Sequence, residues 1–277
     1  MIMKTNRYDK KERVEMSEYG YIVKMKCRTN MHVGDGEENY SIIDKMVERD
    51  PVTGYPTVNA SGVKGALKEF CKKKYADRTD DIDKIFGNED VPNKSTRPGQ
   101  VKILPAEMLA RSARASEGKS PFYLVTTEYA VKRFNYWCGI VPGAENAKIN
   151  EAAESVSQNE LLAAEEIPLM EYYKCDRDRN TKRYKTKLYQ MKEDDFRDLP
   201  LPVLARNCLD NGKSVNLWYE EVVPYNSIFY FAILGEQALV SALKEMIDNQ
   251  IVQFGSGASI GYGLCELTIL GGEENHE

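Results

Sequence analysis

Ser227-Ile228-Phe229-Tyr230-Phe231-Ala232-Ile233-Leu234, then Glu236-Gln237-Ala238-Leu239-Val240-Ser241-Ala242-Leu243-Lys244-Glu245-Met246-Ile247-Asp248, decides the fold. The first run is short, apolar and rich in aromatic and β-branched residues, which predicts a strand. In the second, Ala238, Leu239, Ala242, Leu243, Met246 and Ile247 recur at helical spacing, which predicts an amphipathic helix. Residues 263–270 close a strand-helix-strand unit. The same order opens the chain. Over residues 19–28, Tyr21, Val23, Met25 and Cys27 alternate with Lys24, Lys26 and Arg28, as in a half-buried strand. Asn59 or Ser61 can then cap a helix to about residue 75 carrying Val63, Ala66, Leu67 and Phe70 on one face. A short helix over 81–86 ended by Gly87 and a second strand over 101–104 follow. Two such units predict an α+β, ferredoxin-like (RRM-type) core, with helices covering one face of an antiparallel sheet and a long insertion between the second and third strands. The whole of 1–277 is expected to be one domain, with core segments of about 18–104 and 216–271 and an insertion over about 105–215. Within the insertion, 146–166 reads as helical, and 172–189 as a strand pair turning near Arg179-Asn180-Thr181.

The chain has 277 residues, enough for a substantial core, and no apolar run long enough to span a bilayer. Its first residues lack an apolar signal core, so a cytoplasmic location without membrane contact is expected. Six scattered cysteines and two histidines argue against a Cys/His zinc site and for reduced, buried thiols. A net charge of −5 argues against indiscriminate coating of nucleic acid. Local binding depends instead on clustering. Lys64, Lys68, Lys72, Lys73 and Lys74 share one helical segment, and Lys174, Arg177, Arg179, Lys182, Arg183, Lys185 and Lys187 crowd another stretch.

One polar stretch carries chemistry: His32-Val33-Gly34-Asp35-Gly36, then Asp44, Arg49-Asp50-Pro51 and Ser61-Gly62-Val63-Lys64-Gly65-Ala66-Leu67. A glycine-broken loop with a lone carboxylate leads into a helix whose first turn offers free N–H groups and a lysine, a combination suited to holding phosphates beside a reactive acid. The glycine spacing of a nucleotide P-loop is absent. Gly255-Ser256-Gly257-Ala258-Ser259-Ile260-Gly261-Tyr262-Gly263 is no dinucleotide fingerprint either, because a strand follows where a helix is required, but its amides can cradle a phosphate backbone.

These blocks, with Asn216-Leu217-Trp218-Tyr219-Glu220-Glu221-Val222-Val223-Pro224, resemble the RAMP proteins of type III CRISPR effectors, above all the repeated backbone subunit of the type III-B (Cmr) complex. The resemblance spans about 18–270 and implies a RAMP domain of ferredoxin-like fold. It also implies a metal-dependent endoribonuclease that binds CRISPR guide RNA and cuts complementary target RNA at regular intervals, leaving a 2′,3′-cyclic phosphate and a 5′-OH. Asp44 matches the loop aspartate needed for cutting, with Mg²⁺ or another divalent cation present. His32 is a candidate general acid or base, and Asp35 and Asp50 are neighbouring carboxylates, Asp50 being better suited to a turn. Guide RNA contact is implied at Ser61, Lys64 and Lys68 and at Gly255, Gly257, Ser259, Gly261 and Tyr262. Arg183 and Lys185, on an arm interleaved with aromatics, suit single-stranded RNA, and 171–190 is a candidate thumb hairpin. Glu220 and Glu221, on opposite faces of a strand, read as supports of the fold rather than a paired-carboxylate site. Copies of itself and other subunits of the effector are the implied protein partners. The alternatives are a non-catalytic guide-binding scaffold and the equivalent type III-A subunit.

Overall fold

The computed structural model describes residues 19–34, 42–90, 95–115, 121–149, 155–156, 167–171 and 184–270. Strand β1 (Tyr19–Cys27) leads through an irregular segment to β2 (Thr57–Val58) and helix α1 (Ala60–Lys74). Val63, Leu67 and Cys71, four residues apart, form the buried stripe of α1. Helix α2 (Thr79–Phe86) ends where Gly87 turns to a φ of 85°, and β3 (Gly87–Asp90) pairs with β4 (Ser95–Pro98). Then come β5 (Lys102–Ile103), β6 (Ala106–Arg114), β7 (Phe122–Thr127) and α3 (Glu128–Ile140), whose first turn is capped by the Thr127 hydroxyl accepting from the Ala130 N–H at 3.1 Å. Next are β8 (Ser155–Val156), β9 (Ile167–Glu171), β10 (Tyr184–Met191) and α4 (Glu193–Asp198). A hairpin of β11 (Val203–Asp210) and β12 (Lys213–Glu221), then β13 (Ile228–Gly235), α5 (Gln237–Ile247), β14 (Ile251–Gln253) and β15 (Leu264–Leu270) complete the described chain.

The main sheet runs β14-β15-β1-β13-β6-β7-β10-β8, with β5 also on β13, β2 on β6 and β9 on β10. It is antiparallel from β14 to β7, whereas β7-β10-β8 pair in parallel, so the sheet is mixed and the architecture α+β. β13 lies between β1 and β6 and is buried along its whole length. On one face Val23, Met25, Phe229, Phe231 and Ile233 pack with the inner residues of α1, α2 and α5. On the other, Ile22, Tyr230, Ala232 and Leu234 pack with Val131, Phe134 and Cys138 of α3.

Three expectations change. Helices cover both faces of the sheet, so β1 is buried on both sides and Lys24, expected at a solvent face, is 3% exposed. Alternation in β1 registers polarity but not the later arrival of α3. The stretch read as helical over 146–166 contains a 3₁₀ turn at Glu145–Ala147 and β8, where Ser155 is in parallel register with Gln190; residues 150–154 and 157–166 lie outside the described residues. At Ser155–Val156 strand pairing takes the place of the expected helix. Of the strand pair over 172–189, β9 and β10 meet at Glu171 and Tyr184, and residues 172–183, with the expected turn and Arg183, lie outside the described residues. The main sheet also runs past residue 104, because β6 pairs with β13.

Candidate nucleic-acid interface

The two-residue turn Asn211-Gly212, with φ of 48° and 79°, closes the β11–β12 hairpin. Along the far end of β12 runs the segment 42–49. The N–H groups of Asp44 and Lys45 donate to the Tyr219 carbonyl at 3.1 and 3.2 Å, and the Glu221 N–H donates to the Lys45 carbonyl at 2.9 Å. Asp44 accepts the Tyr219 N–H on Oδ2 at 2.8 Å. Its side chain is exposed, and Oδ1 has no protein partner among the described residues. The result is a carboxylate fixed at one oxygen and open to solvent at the other. Lys45 lies beside it, its ammonium 5.5 Å from the Trp218 ring centroid.

His32 is buried behind this edge at 4% exposure. Its Nδ1 is 2.7 Å from the Glu221 carbonyl, which can only accept, so Nδ1 carries the proton and Nε2 faces the Glu220 carboxylate at 3.9 Å. The other Glu220 oxygen lies 4.0 Å from Arg206 Nε, and the Arg206 guanidinium covers the Tyr262 ring at 5.5 Å. Arg206 thus joins the hairpin to the glycine loop. In that loop Gly257 and Gly261, both left-handed, flank a 3₁₀ turn at Ala258–Ile260. The Ser256 N–H donates to the His32 carbonyl at 2.9 Å, and a Cβ on Gly255 would stand 2.2 Å from the same oxygen, so only glycine permits this approach. Gly255, Ser259 and Gly261 are exposed, and Gly257 is half-buried. Tyr262 is 9% exposed and forms the floor of the loop, which suits packing beneath it rather than base stacking above it.

Helix α1 joins the same surface through Glu48. The Asn59 N–H donates to its Oε2 at 3.0 Å, and the Thr57 N–H to its carbonyl, also at 3.0 Å. Asn59 occupies the N-cap without a side-chain capping bond, and Ser61 lies exposed inside the first turn. Lys64 is half-buried with no side-chain partner among the described residues, whereas the Lys68 ammonium donates to the Gly87 carbonyl at 2.7 Å and so closes the end of α2. Gly65 faces open space: a Cβ there would meet nothing within 4 Å. Asp50 behaves as a turn former, its Oδ1 accepting from the N–H groups of Val52 and Thr53 at 3.0 and 2.7 Å.

The structure therefore brings together His32, Asp44, the 255–262 loop and, through Glu48, the start of α1. Lys185 stands apart on β10, beyond β6 and β7 from β13, and Asp35 and Arg183 lie outside the described residues. Arg49 and the interior role of Glu221 carried no sequence signal beyond their place in the quoted blocks, and Arg206 lies outside those blocks altogether. Arg49 Nη2 donates to Glu221 Oε1 at 2.6 Å, and Arg111, 2% exposed, sits close enough to feel both charges. Burial, with Arg49 nearby, holds the Arg111 guanidinium down at about 10, against the pull of Glu221. Among the described residues no three His, Cys, Asp or Glu side chains group as a metal cage, and no helix is long and apolar enough to cross a membrane.

The chain is similar to known proteins of one superfamily. The sequence profile of the RAMP superfamily matches residues 24–266. The chain is 22% identical to the CRISPR system Cmr endoribonuclease Cmr4 of Pyrococcus furiosus over 90% of its own length and 95% of that protein's. It is 30% identical to the CRISPR system CMR subunit Cmr4 of Saccharolobus solfataricus over 37% of its length and 33% of that protein's. In fold it resembles a chain of the type III-B Cmr-beta assembly in its apo state, with a TM-score of 0.68, 23% identity and coverage of 91% of this chain and 97% of that one. A chain of the same assembly bound to cognate target RNA gives 0.64, 21%, 91% and 97%, and oligomeric Cmr4 from Pyrococcus furiosus gives 0.63, 20%, 92% and 99%. With a profile that runs from its first strand into its last, the chain belongs to the RAMP superfamily.

Proposed function

We propose that the chain is a backbone subunit of a type III-B CRISPR effector that holds guide RNA and cleaves complementary target RNA, with Asp44 as the catalytic carboxylate. What carries the reading is the display of Asp44 in a RAMP protein: one oxygen locked to β12, the other open to solvent, beside a glycine loop and a helix start suited to phosphates. The strand order β15-β1-β13-β5, with α1 and α5 on one face, supports a ferredoxin-like core. Ser61, Lys64 and the rim of the 255–261 loop are the proposed guide contacts, and Arg183 and Lys185 the contacts of a thumb over 171–190. Lys68 enters as a support of α2 more than as a phosphate ligand, since its ammonium is already held by the Gly87 carbonyl. Copies of the chain and further effector subunits are the proposed partners, in the cytoplasm.

In the proposed reaction the ribose 2′-OH attacks the adjacent phosphorus while the bond to O5′ breaks, leaving a cyclic phosphate and a 5′-OH. Asp44 serves by orienting the 2′-OH or accepting its proton. A lone carboxylate with one unspent oxygen also fits Mg²⁺, which is commonly held by one or two carboxylates together with substrate phosphates; bound there, it would neutralise developing charge. Asp44→Asn in assembled complexes, given matched target and Mg²⁺, is expected to abolish cleavage while guide and target affinity stay within about two-fold. Cleavage at the parental rate would overturn the assignment and favour a non-catalytic scaffold.

A further inference from the structure

We propose that Glu221 is the positioning residue of this site: it clamps the 44–49 segment to the end of β12 and thereby sets where the Asp44 carboxylate stands. The inference rests on the reading of Asp44 above.

Glu221 is 4% exposed and spends both carboxylate oxygens inward. Oε2 accepts the Val47 N–H at 3.1 Å, and Oε1 accepts Arg49 Nη2 at 2.6 Å. Its backbone works on the same neighbours, the N–H donating to the Lys45 carbonyl at 2.9 Å and the carbonyl accepting His32 Nδ1 at 2.7 Å. Three alternate residues of the segment, 45, 47 and 49, are therefore tied to one residue of β12. The segment needs such ties, since it is irregular and otherwise meets its surroundings through Tyr219, which is bonded to Asp44 and Lys45, and through isolated bridges such as Gly34 with Val47. Arg49 Nη1 also donates to the Gly54 carbonyl at 3.2 Å, so the clamp is anchored on the far side by the 50–54 turn.

The geometry separates positioning from catalysis. A carboxylate that is 4% exposed and turned inward on both oxygens is out of reach of an RNA hydroxyl or phosphate. It also separates a carboxylate from its amide. Two donors, one on each oxygen, demand two acceptors; glutamine supplies one acceptor oxygen and places its NH₂ against a donor. Misplacement of a reacting group by about 1 Å costs about a hundred-fold in rate, so a loosened 44–49 segment should be felt at the chemical step.

The test uses assembled complexes carrying Glu221→Gln, with Arg49→Met as an independent way of opening the same clamp. Single-turnover cleavage at saturating target is expected to fall about 10- to 100-fold in each, with target affinity within about two-fold and the spacing of cuts retained. Arg49→Lys should recover part of the rate, and the double variant should be no slower than the slower single one, because both open one contact. Hydrogen exchange on the isolated full-length chain supplies a readout besides activity: amides over 42–50 should exchange faster while those of β1 and β13 are unchanged. A purely structural Glu221 would speed exchange throughout and weaken RNA binding in step with rate, which would overturn the proposal. Parental cleavage by Glu221→Gln with an inactive Asp44→Asn overturns this inference alone; parental cleavage by Asp44→Asn removes the reading beneath it. Should Glu221→Gln fail to assemble, the Arg49 variants decide by the same two readouts.

Discussion

Gly65→Ala should make the protein more stable and worse at holding RNA. Glycine inside a helix is less favourable than alanine by about 1 kcal/mol, chiefly through backbone entropy. At this position of α1 the added methyl meets nothing within 4 Å, so no steric term opposes the gain. For a chain of this size that corresponds to a rise in Tm of about 2–4 °C. The cost appears only with the ligand. A phosphate resting against the bare helix beside Lys64 would retreat by about 1.5 Å to clear the methyl; at an effective dielectric of about 20, moving it from about 4 to about 5.5 Å from the ammonium removes roughly 1 kcal/mol, or about five-fold in Kd. Thermal melts and anisotropy of a labelled guide RNA at fixed salt measure both quantities. Added stability with unchanged affinity would refute the assignment of this face to RNA. Lost stability would refute the open space itself.

Lys64→Glu should weaken guide binding most at low salt, the loss shrinking as salt rises because screening attenuates the new repulsion with the lost attraction; unchanged low-salt affinity would turn this helix away from RNA. Leu67→Ala, at a fully buried position of α1, should cost about 2–5 kcal/mol in a urea melt, and a cost below about 1 would contradict the packing of α1 into the core it shares with α2 and α5. Gly255→Ala should cost about 2–3 kcal/mol, since φ is +72° and the new Cβ meets the His32 carbonyl, with wild-type stability refuting that approach. Burial pushes the Cys71 thiol up to about 12, so the folded chain holds a proton that the unfolded chain releases near 9; stability should fall as pH rises from about 9 toward 12, less steeply in Cys71→Ala, and equal slopes would contradict this.

The hydrophobic periods of α1, α5 and β13 were readable because each buries a stripe or a run that its own residues declare: Val63, Leu67 and Cys71 recur in register, and no polar residue interrupts Ile228 to Leu234. Lys24 misled because a lysine in an alternating strand signals water, and the helix that packs on its face of the sheet, α3, arrives more than a hundred residues later. The β7-β10-β8 extension was invisible for a related reason: parallel pairing between Ser155 and Gln190 depends on which edge is vacant, a property of the assembled sheet. At the site, the expectation for Asp44 came from the resemblance of its loop to that of the RAMP proteins, and the structure shows this carboxylate exposed with one oxygen bonded to β12. The clamp was not legible, because Glu221 is separated by 172 residues from Arg49 and nothing in either local pattern distinguishes an inward carboxylate from an outward one. Tyr262 shows the converse, an aromatic in a glycine loop that points down onto Arg206.

Glu48 lies between the two working ends of this surface, its own N–H on the Val33 carbonyl at 2.7 Å, its carbonyl on Thr57 and its carboxylate on Asn59. The span from Asp44 to the first turn of α1 is therefore braced rather than slack. In the proposed reading this makes the subunit a ruler: the distance from the held phosphate to the scissile one is built into the protein, so the cut is placed by counting along the guide and not by reading the base. An insertion between Glu48 and Asn59 would shift or blur the cut without changing which RNA is chosen.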